Sequence, residues 1–494
     1  MTEGYREKEV RRARRDSLVR LRAKGIEPFA LTYEPEIHAA ELHREYADLS
    51  PDSVTEDRTS VAGRVVLARR FGRLVFFTLR DRTGDIQLFC AEDDLGPDRF
   101  ALLDQVDLGD VVGARGRVVT TKKGELSIRV DEVTMLTKSL LPLPEKWHGL
   151  KDPDLQQRQR YLQLATDLEA RRTVLEVRAG VLRAFRRYFE EHGFIEVETP
   201  VLQPQAGGAL AKPFTTHHEA LGIDLYLRIA LELYLKRLLV GGMERVYEIG
   251  RNFRNEGVDR DHNPEFTMME VYQAYTDYEG MMALVEDLVR AAALEVKGSL
   301  RFTYQERDLD VEPAWKRVTM LASLSEAVGE EVTLGRSDLA VLADRHDVGV
   351  DPKWGPGKIV QEMWERIVEP SLWDPTFVKD FPREISPLAR PHRDDPTLTE
   401  HVDPYLAGIE LGAAYSELTD PDDQRARFMA QQEARRLGDE EAHPLDEDFL
   451  TALEHGMPPA GGLGIGVDRL TMILADAPSI RDVIAFPHHR PEQT

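Results

Sequence analysis

The stretch VYEIGRNFRNEGVDRDHNPEFTMMEVYQAY, residues 246–275, places two strand-like runs around a polar loop. Apolar and aromatic residues on either side predict strands, and Gly257 and the Asn263-Pro264 pair predict the turn between them. Arg251, Arg254, Arg260 and His262 gather within a dozen residues of that loop. Arginine forks suit a bidentate grip on phosphate or carboxylate. In the returning strand Glu270 and Tyr272 stand two apart, so both face one side. A carboxylate and a phenol on one face suit a cation. A surface hairpin with solvated charges has the same content, but the bracketing apolar strands and Phe266 just after the Asn-Pro turn speak against it.

Two later segments carry further chemistry. AGIELGAAYSELTDP, residues 407–421, sets Glu410 and Glu417 seven apart among small residues that permit close backbone approach. The pair suits Mg²⁺ with nucleotide phosphates, or an amine, or it is a solvated acidic strand. GGLGIGVDRLTMIL, residues 461–474, is a glycine-rich run entering an apolar helix that starts at Asp468 and Arg469. It lacks the Gly-Lys-Ser/Thr of a P-loop and the spacing of a dinucleotide fingerprint.

Upstream, five β-rich runs (60–69, 73–81, 84–91, 110–121 and 125–136) are separated by glycine or charged turns. Five short strands in about 80 residues point to a small closed barrel of the oligonucleotide-binding (OB) type, with a β-sandwich as the alternative. The proline-rich KSLLPLPEKWHGLKDPD, residues 138–154, is an interdomain linker by composition. From Leu168 to His192 the spacing is helical, with Val174, Val177, Val181, Phe185 and Phe189 on one face and Gly193 as the cap. Strand-like and helical patterns then alternate irregularly, as in an α+β domain. The expected division is an N-terminal basic helix and lead-in (1–59), the barrel (60–137), a linker (138–165) and a large domain (166–494).

The 494 residues suit two or three domains. No run approaches the ~20 apolar residues that span a bilayer, which implies no membrane partner. The polar N-terminus is unlike a secretory signal. A single cysteine, Cys90, excludes an internal disulfide and cysteine-rich zinc sites, and suits a reducing cytoplasm. The net charge of −24 is unlike that of a nucleic-acid binder, yet it is unevenly spread. Residues 5–24 hold nine Lys/Arg against three Asp/Glu, while 420–424 and 438–448 are acidic. The basic segment is either a solvated helix, weakly packed because its apolar residues are sparse, or a helix that binds a nucleic-acid backbone.

Taken in order, the helix and strand ending at Pro200, FRNEG…HNPEF and GLGIGVDR resemble the three signature motifs of class II aminoacyl-tRNA synthetases. Within that class the chain is similar to bacterial lysyl-tRNA synthetases from Arg6 to Pro491. The likeness includes VAGRV, GELSI, RQRYL, VETPVL, YLRIA, NPEFTMME, SPLAR, YSEL and RDVIAFP. It implies an α+β protein: an N-terminal five-stranded OB barrel that reads the anticodon, and an antiparallel β-sheet domain, flanked by helices, that holds ATP and amino acid. It also implies a cytoplasmic homodimer formed largely through the first motif, with Mg²⁺, ATP, L-lysine and tRNA(Lys) as cofactor and partners.

Carried over residue by residue, the resemblance gives catalytic roles to Arg254, at the α-phosphate, and Arg469, at the γ-phosphate. Glu256 and His262 would contact ATP, Phe266 would stack on adenine, and Asp403 and Glu410 would bind Mg²⁺. Gly208 and Glu232 would meet the α-amino group of lysine, and Tyr272 and Glu417 its ε-ammonium. Glu270 and Tyr415 would complete the pocket. In the barrel, Phe76 would stack on an anticodon base while Arg69, Gln87 and Glu125 read uridine edges. Glu232, Glu270 and Glu417 together favour a cationic amino acid over aspartate or asparagine. The sequence departs from the common pattern at Ala413 and Ala414, where Asn-Gly is usual, at Leu231, where proline is usual, and at Leu210 and Lys212. An acceptor other than tRNA, or a non-catalytic RNA-binding module, are the rival readings. The intact barrel opposes the first, and retention of Arg254, Glu256, Glu410 and Arg469 opposes the second.

Overall fold

The computed structural model describes residues 3–143, 152–209, 211–436 and 444–490. Leu210, part of the expected linker (144–151) and part of the second acidic tract (438–443) lie outside them. The chain forms two compact units, residues 1–168 and 169–494.

The first unit opens with helix α1 (Glu3–Ala23) and continues with β1 (Val54–Phe71), β2 (Leu74–Arg80), β3 (Asp85–Ala91), β4 (Val111–Thr120) and β5 (Leu126–Thr137). They close a barrel in the order β1-β2-β3-β5-β4. Alternation sends Val65, Leu79, Leu88, Val118, Ile128 and Val130 into a fully buried interior. β1 begins six residues before the expected start. Residues 54–59 are solvated on most positions, so no apolar alternation marks them, yet they pair with β4 through Val54, Arg58 and Thr59.

The expectation that α1 packs weakly is corrected by polar contacts. Arg14 is buried and donates to the carbonyls of Leu108, Ser139 and Leu141 at 2.8, 3.1 and 2.7 Å. Ser17 and Arg20 both donate to Gln105 Oε1, at 2.8 and 2.9 Å, and Leu21 is buried. An apolar count misses a guanidinium that satisfies three carbonyls at once. The start of the expected linker is likewise anchored. Lys138 is fully buried, with Nζ 2.6 Å from Asp107 and 2.7 Å from Asp110. Residues beyond 152 form two short helices, Pro153–Arg158 and Arg160–Thr166, within the first unit.

In the second unit the helical run from Leu168 contains a π turn at Arg172–Glu176 and continues as α2 (Val177–Glu191). Val174, Val177, Val181, Phe185 and Phe189 are buried as the spacing predicts, and Gly193 ends the run at φ +73°. There follow β6 (Ile195–Glu196), α3 (Glu232–Val240), β7 (Arg245–Phe253), β8 (Glu265–Ala274), α4 (Tyr278–Lys297), β9 (Lys316–Thr319), β10 (Thr376–Pro382), β11 (Leu398–Leu406), β12 (Ile409–Glu410), β13 (Gly412–Ser416), β14 (Ala460–Gly466) and α5 (Val467–Leu474).

One sheet runs β9-β10-β11-β13-β14-β8-β7-β6, with β12 beside β11. It is antiparallel except for its two outer pairs, β9/β10 and β6/β7, which are parallel. Met269 and Val271 of β8 point into a core built with α2, α4 and α5. Their neighbours Met268, Glu270 and Tyr272 therefore face the opposite side, where a cavity opens.

Lys138→Met is expected to destabilise the barrel unit by ~3–5 kcal/mol, because Asp110 would stay buried without its cation. Loss of amide-exchange protection in β4 and β5 measures this.

Candidate active site

The cavity has a volume of about 430 Å³. Of the residues expected at the site, Gly208, Glu232, Arg254, Glu256, His262, Phe266, Glu270, Tyr272, Asp403, Glu410, Tyr415 and Arg469 all line it. Glu417 does not. The expectation of a Glu410–Glu417 pair is corrected, since the two carboxylates have different partners. Glu417 forms an ion pair with the ammonium of Lys236, and Lys236 also sits 2.5 Å from Glu232 Oε1. The side chains of Lys236 and Glu417 are wholly inaccessible. Among the described residues Glu417 Oε1 has no hydrogen-bond partner.

Burial works to deprotonate Lys236, but the charges of Glu232 and Glu417 outweigh it and hold the ammonium above its usual range. Burial pushes Glu417 upward, with Lys236 opposing. Glu270 lies next along, accepting from the Leu231 backbone N–H at 3.0 Å and from the Tyr272 hydroxyl at 3.3 Å. Burial and the charge of Glu232 raise its carboxyl to about 7 against those two donors. Glu232 and Glu417 thus share one internal ammonium, and Glu270 adds a third carboxylate beside Glu232. With all three ionised, this end of the cavity has surplus negative charge and attracts a cation.

Toward the other end stand arginines. Arg254 feels the charges of Glu256, Arg469, Glu410 and Glu270, and its guanidinium lies 5.2 Å from the centre of the Phe266 ring. Arg469 donates to the Glu410 carbonyl at 2.7 Å and lies 3.1 Å from His262 Nε2. An arginine only donates, so Nε2 accepts and the imidazole proton is on Nδ1, directed at Asp259 2.9 Å away. Asp403 accepts from His401 Nε2 at 2.8 Å, and Ser386 Oγ lies 2.7 Å from His401 Nδ1. Burial raises the Glu410 carboxyl, and Asp403 raises it further while Arg469 opposes. Two hard oxygen donors of like charge on one cavity wall fit Mg²⁺, which uses one or two carboxylates together with substrate phosphates.

The barrel residues meet on a separate surface of the first unit. Phe76 lies between Arg69 and Phe89 in the strand register, edge-on to Phe89 with centroids 5.3 Å apart. Arg69 reaches over Phe76 and donates to Gln87 Oε1 at 2.8 Å, while Gln87 Nε2 donates to Ser127 Oγ at 2.8 Å. Gln87 is buried and Glu125 is exposed in the turn before β5.

A family model for class II tRNA synthetases (D, K and N) matches residues 152–490, and one for OB-fold nucleic acid binding domains matches residues 59–136. The chain is 52% identical to the lysine–tRNA ligase of Thermosynechococcus vestitus, over 98% of this chain and 97% of that one. It is 49% identical to the lysine–tRNA ligase of Moorella thermoacetica, over 99% of both, and 47% identical to that of Syntrophomonas wolfei, over 98% of both. The chain belongs to the lysine–tRNA ligase family of class II tRNA synthetases.

In this synthetase several buried or half-buried groups hold the site, and of them only Asp468 also lines it. Arg228 and Glu248 form a buried ion pair of 2.6 Å at the base of the β7–β8 hairpin. Arg228 also donates to the Arg251 carbonyl, and Gly250 leaves room for its guanidinium. Asp468 pairs with Arg178 of α2 and accepts from the Thr267 N–H at 2.6 Å, which ties α5 to β8. Sequence reasoning missed Arg228, Glu248, Arg178 and Lys236, because each has a partner far away along the chain, although Lys236 also meets Glu232 one turn away on α3.

The glycines of 461–466 have a role that no phosphate-loop reading supplies. A Cβ on Gly462 would fall 2.0 Å from Glu417 Oε1 and 2.5 Å from Tyr272 Cε1, whereas one on Gly466 meets nothing nearer than 3.5 Å. Neither has a positive φ, so the need for glycine at 462 is spatial. Gly462→Ala should therefore cost ~1–3 kcal/mol by overpacking, a melting temperature lower by about 2–6 °C. Gly466→Ala should leave the melting temperature nearly unchanged. Parallel thermal melts compare the two.

Proposed function

We propose that this chain activates L-lysine with ATP and esterifies it to the terminal 3′-hydroxyl of tRNA(Lys). The observation that carries this reading is that Glu232 and Glu270 line a cavity that also holds Arg254 and Arg469, with Glu417 buried behind them against the Lys236 ammonium that Glu232 shares. A long substrate with a terminal cation suits the acidic end, and polyanionic phosphate suits the arginines. Glu270 and Tyr272 receive the ε-ammonium. Glu417 acts one layer behind, through Lys236, which differs from the direct contact that the resemblance implies. Gly208 and Glu232 meet the α-amino group.

The lysine carboxylate attacks the α-phosphorus of ATP, forming lysyl-adenylate and releasing pyrophosphate. The tRNA 3′-hydroxyl then attacks the acyl carbon, AMP leaves, and the hydroxyl proton passes to solvent. Arg254 neutralises charge at the α-phosphate and Arg469 at the γ-phosphate, with Glu256 and His262 orienting the nucleotide and Phe266 stacking on adenine. The His262 tautomer leaves Nε2 as an acceptor toward Arg469 and keeps that guanidinium directed into the cavity. Asp403 and Glu410 would hold Mg²⁺, which supplies charge neutralisation on the phosphates when bound. His401 orients Asp403 in that role. No side-chain nucleophile is needed.

In the barrel, Phe76 stacks on an anticodon base beside Arg69 and Glu125, while buried Gln87 acts chiefly by orienting Arg69. The two units correspond to an anticodon-binding domain and a catalytic domain. A homodimer is supported by the exposed apolar side chains Leu175, Ile195, Val201 and Leu202 in and around the first motif and its edge strand β6. The single, buried Cys90 suits the cytoplasm. Lysine-dependent pyrophosphate exchange, followed by charging of tRNA(Lys), tests the whole reading. Exchange with a different amino acid only, or with none, would overturn it.

Glu270→Gln should raise the KM for lysine at least a hundredfold, for a loss of ~3–5 kcal/mol when a buried cation loses its partner, and leave the KM for ATP nearly unchanged. In the unaltered protein Glu270 is ionised above pH about 7 and protonated below it. Lysine KM should therefore rise as pH falls through neutrality, and Glu270→Gln should flatten that rise. In the barrel, Phe76→Ala should spare lysine-dependent exchange and weaken tRNA binding by ~1–3 kcal/mol. Equal loss in exchange and charging would mean that Phe76 supports the fold alone.

A further inference from the structure

Helix α1 presents two distinct faces. Arg14, Ser17 and Leu21 dock it onto the barrel. Lys8, Arg11, Arg12, Arg15 and Arg22 are all exposed and fall within an arc of roughly 100° on the outer side at 3.6 residues per turn. The acidic residues Glu9 and Asp16 lie outside that arc. Among the described residues Arg12, Arg15 and Arg22 have no ion-pair partner. Elsewhere on this barrel two exposed arginines are paired, Arg73 with Glu92 and Asp93 and Arg58 with Asp131. Placing Arg12, Arg15 and Arg22 along one face costs some mutual repulsion between like charges.

The docking side of α1 also leads toward the base-stacking surface. Ser17 and Arg20 hold Gln105, whose neighbour Asp104 accepts from Arg70 at 3.0 Å. Arg70 precedes Phe71, which is 63% exposed and edge-on to Phe76 at 6.2 Å. From Lys8 to Arg22 the stripe runs ~21 Å, at 1.5 Å per residue, enough for several consecutive phosphates.

We propose that the outer face of α1 binds the phosphate backbone of the same tRNA whose base stacks on Phe76, with Arg12, Arg15 and Arg22 as its principal contacts. This rests on the tRNA-charging reading above and adds a second, sequence-independent grip to it. Arginine at three points along one stripe matches a polyanion of regular spacing and carries no base information.

The test uses the full-length triple variant Arg12→Gln, Arg15→Gln, Arg22→Gln, which keeps helix propensity and leaves the docking face intact. Its affinity for tRNA(Lys) is measured by fluorescence anisotropy across a salt series, beside the unaltered chain and the corresponding triple lysine variant. Each lost phosphate contact lowers the slope of log K against log salt by ~0.7–0.9, so the glutamine variant should lose about two to three units of slope and bind at least about tenfold more weakly at physiological salt. Lysine-dependent pyrophosphate exchange should be unchanged, and the lysine variant should retain most of the slope. If the unaltered chain binds tRNA and the glutamine variant matches it in affinity and slope, the proposal fails while the charging function stands. Failure of the unaltered chain to bind or charge tRNA overturns both. Unchanged tRNA binding with lost binding to anionic phospholipid vesicles would assign the stripe to a membrane surface and overturn the proposal.

Discussion

Lys236 lies between Glu232 and Glu417, its ammonium wholly removed from water. An isolated charge in that position would cost several kcal/mol, so lysine and carboxylates must be placed together or not at all. The constraint reaches outward from there. It ties α3 to the residue that follows β13, requires glycine at 462 so that Glu417 fits, and leaves Glu232 and Glu270 as the carboxylates that face the open cavity. The surplus of acid over base at this end is a property of the set and not of any one residue.

The sheet converts that local constraint into a site with two chemical ends. Strand pairing puts Glu270 of β8 opposite Gly464 of β14, and Ala413 of β13 opposite the same glycine, so small residues line the floor where a ligand must approach. Arg254 leaves β7 at the point where pairing stops, and Arg469 enters α5 immediately after β14. Both guanidiniums therefore come from strand ends, where the backbone is free to turn toward the cavity. Beneath them the buried Arg228–Glu248 and Arg178–Asp468 pairs hold the hairpin and α5 in place. Of these four side chains only Asp468 reaches the cavity lining.

The barrel unit solves a different problem. Its interior is apolar and closed, and its chemistry is carried by half-buried aromatics edge to edge with arginines above them. The helix on its flank is held by hydrogen bonds to carbonyls more than by apolar packing, which leaves its other side free to carry charge. A strongly acidic chain can thus present a basic surface where its function needs one.

The sequence by itself determined a good deal. Alternation every second residue marked five barrel strands to within a residue or so, apart from the early start of β1. A 3.6-residue period picked out the buried stripe from Val174 to Phe189, and of the cationic cluster beside Asn263-Pro264 Arg254 and His262 line the cavity while Arg251 and Arg260 pair with Glu265 and Asp261 outside it. These are local signals, carried by residues whose neighbours in space are also their neighbours along the chain. Tertiary structure alone decided the pairing of Lys236 with Glu417, 181 positions away, and of Arg178 with Asp468, 290 positions away. It decided that Gln87 is buried beneath Arg69, that the glycines of 461–466 make room for side chains, and that Glu417 stands behind the pocket wall. Each of these depends on which charges are removed from water together, and that is settled only when distant strands close on one another.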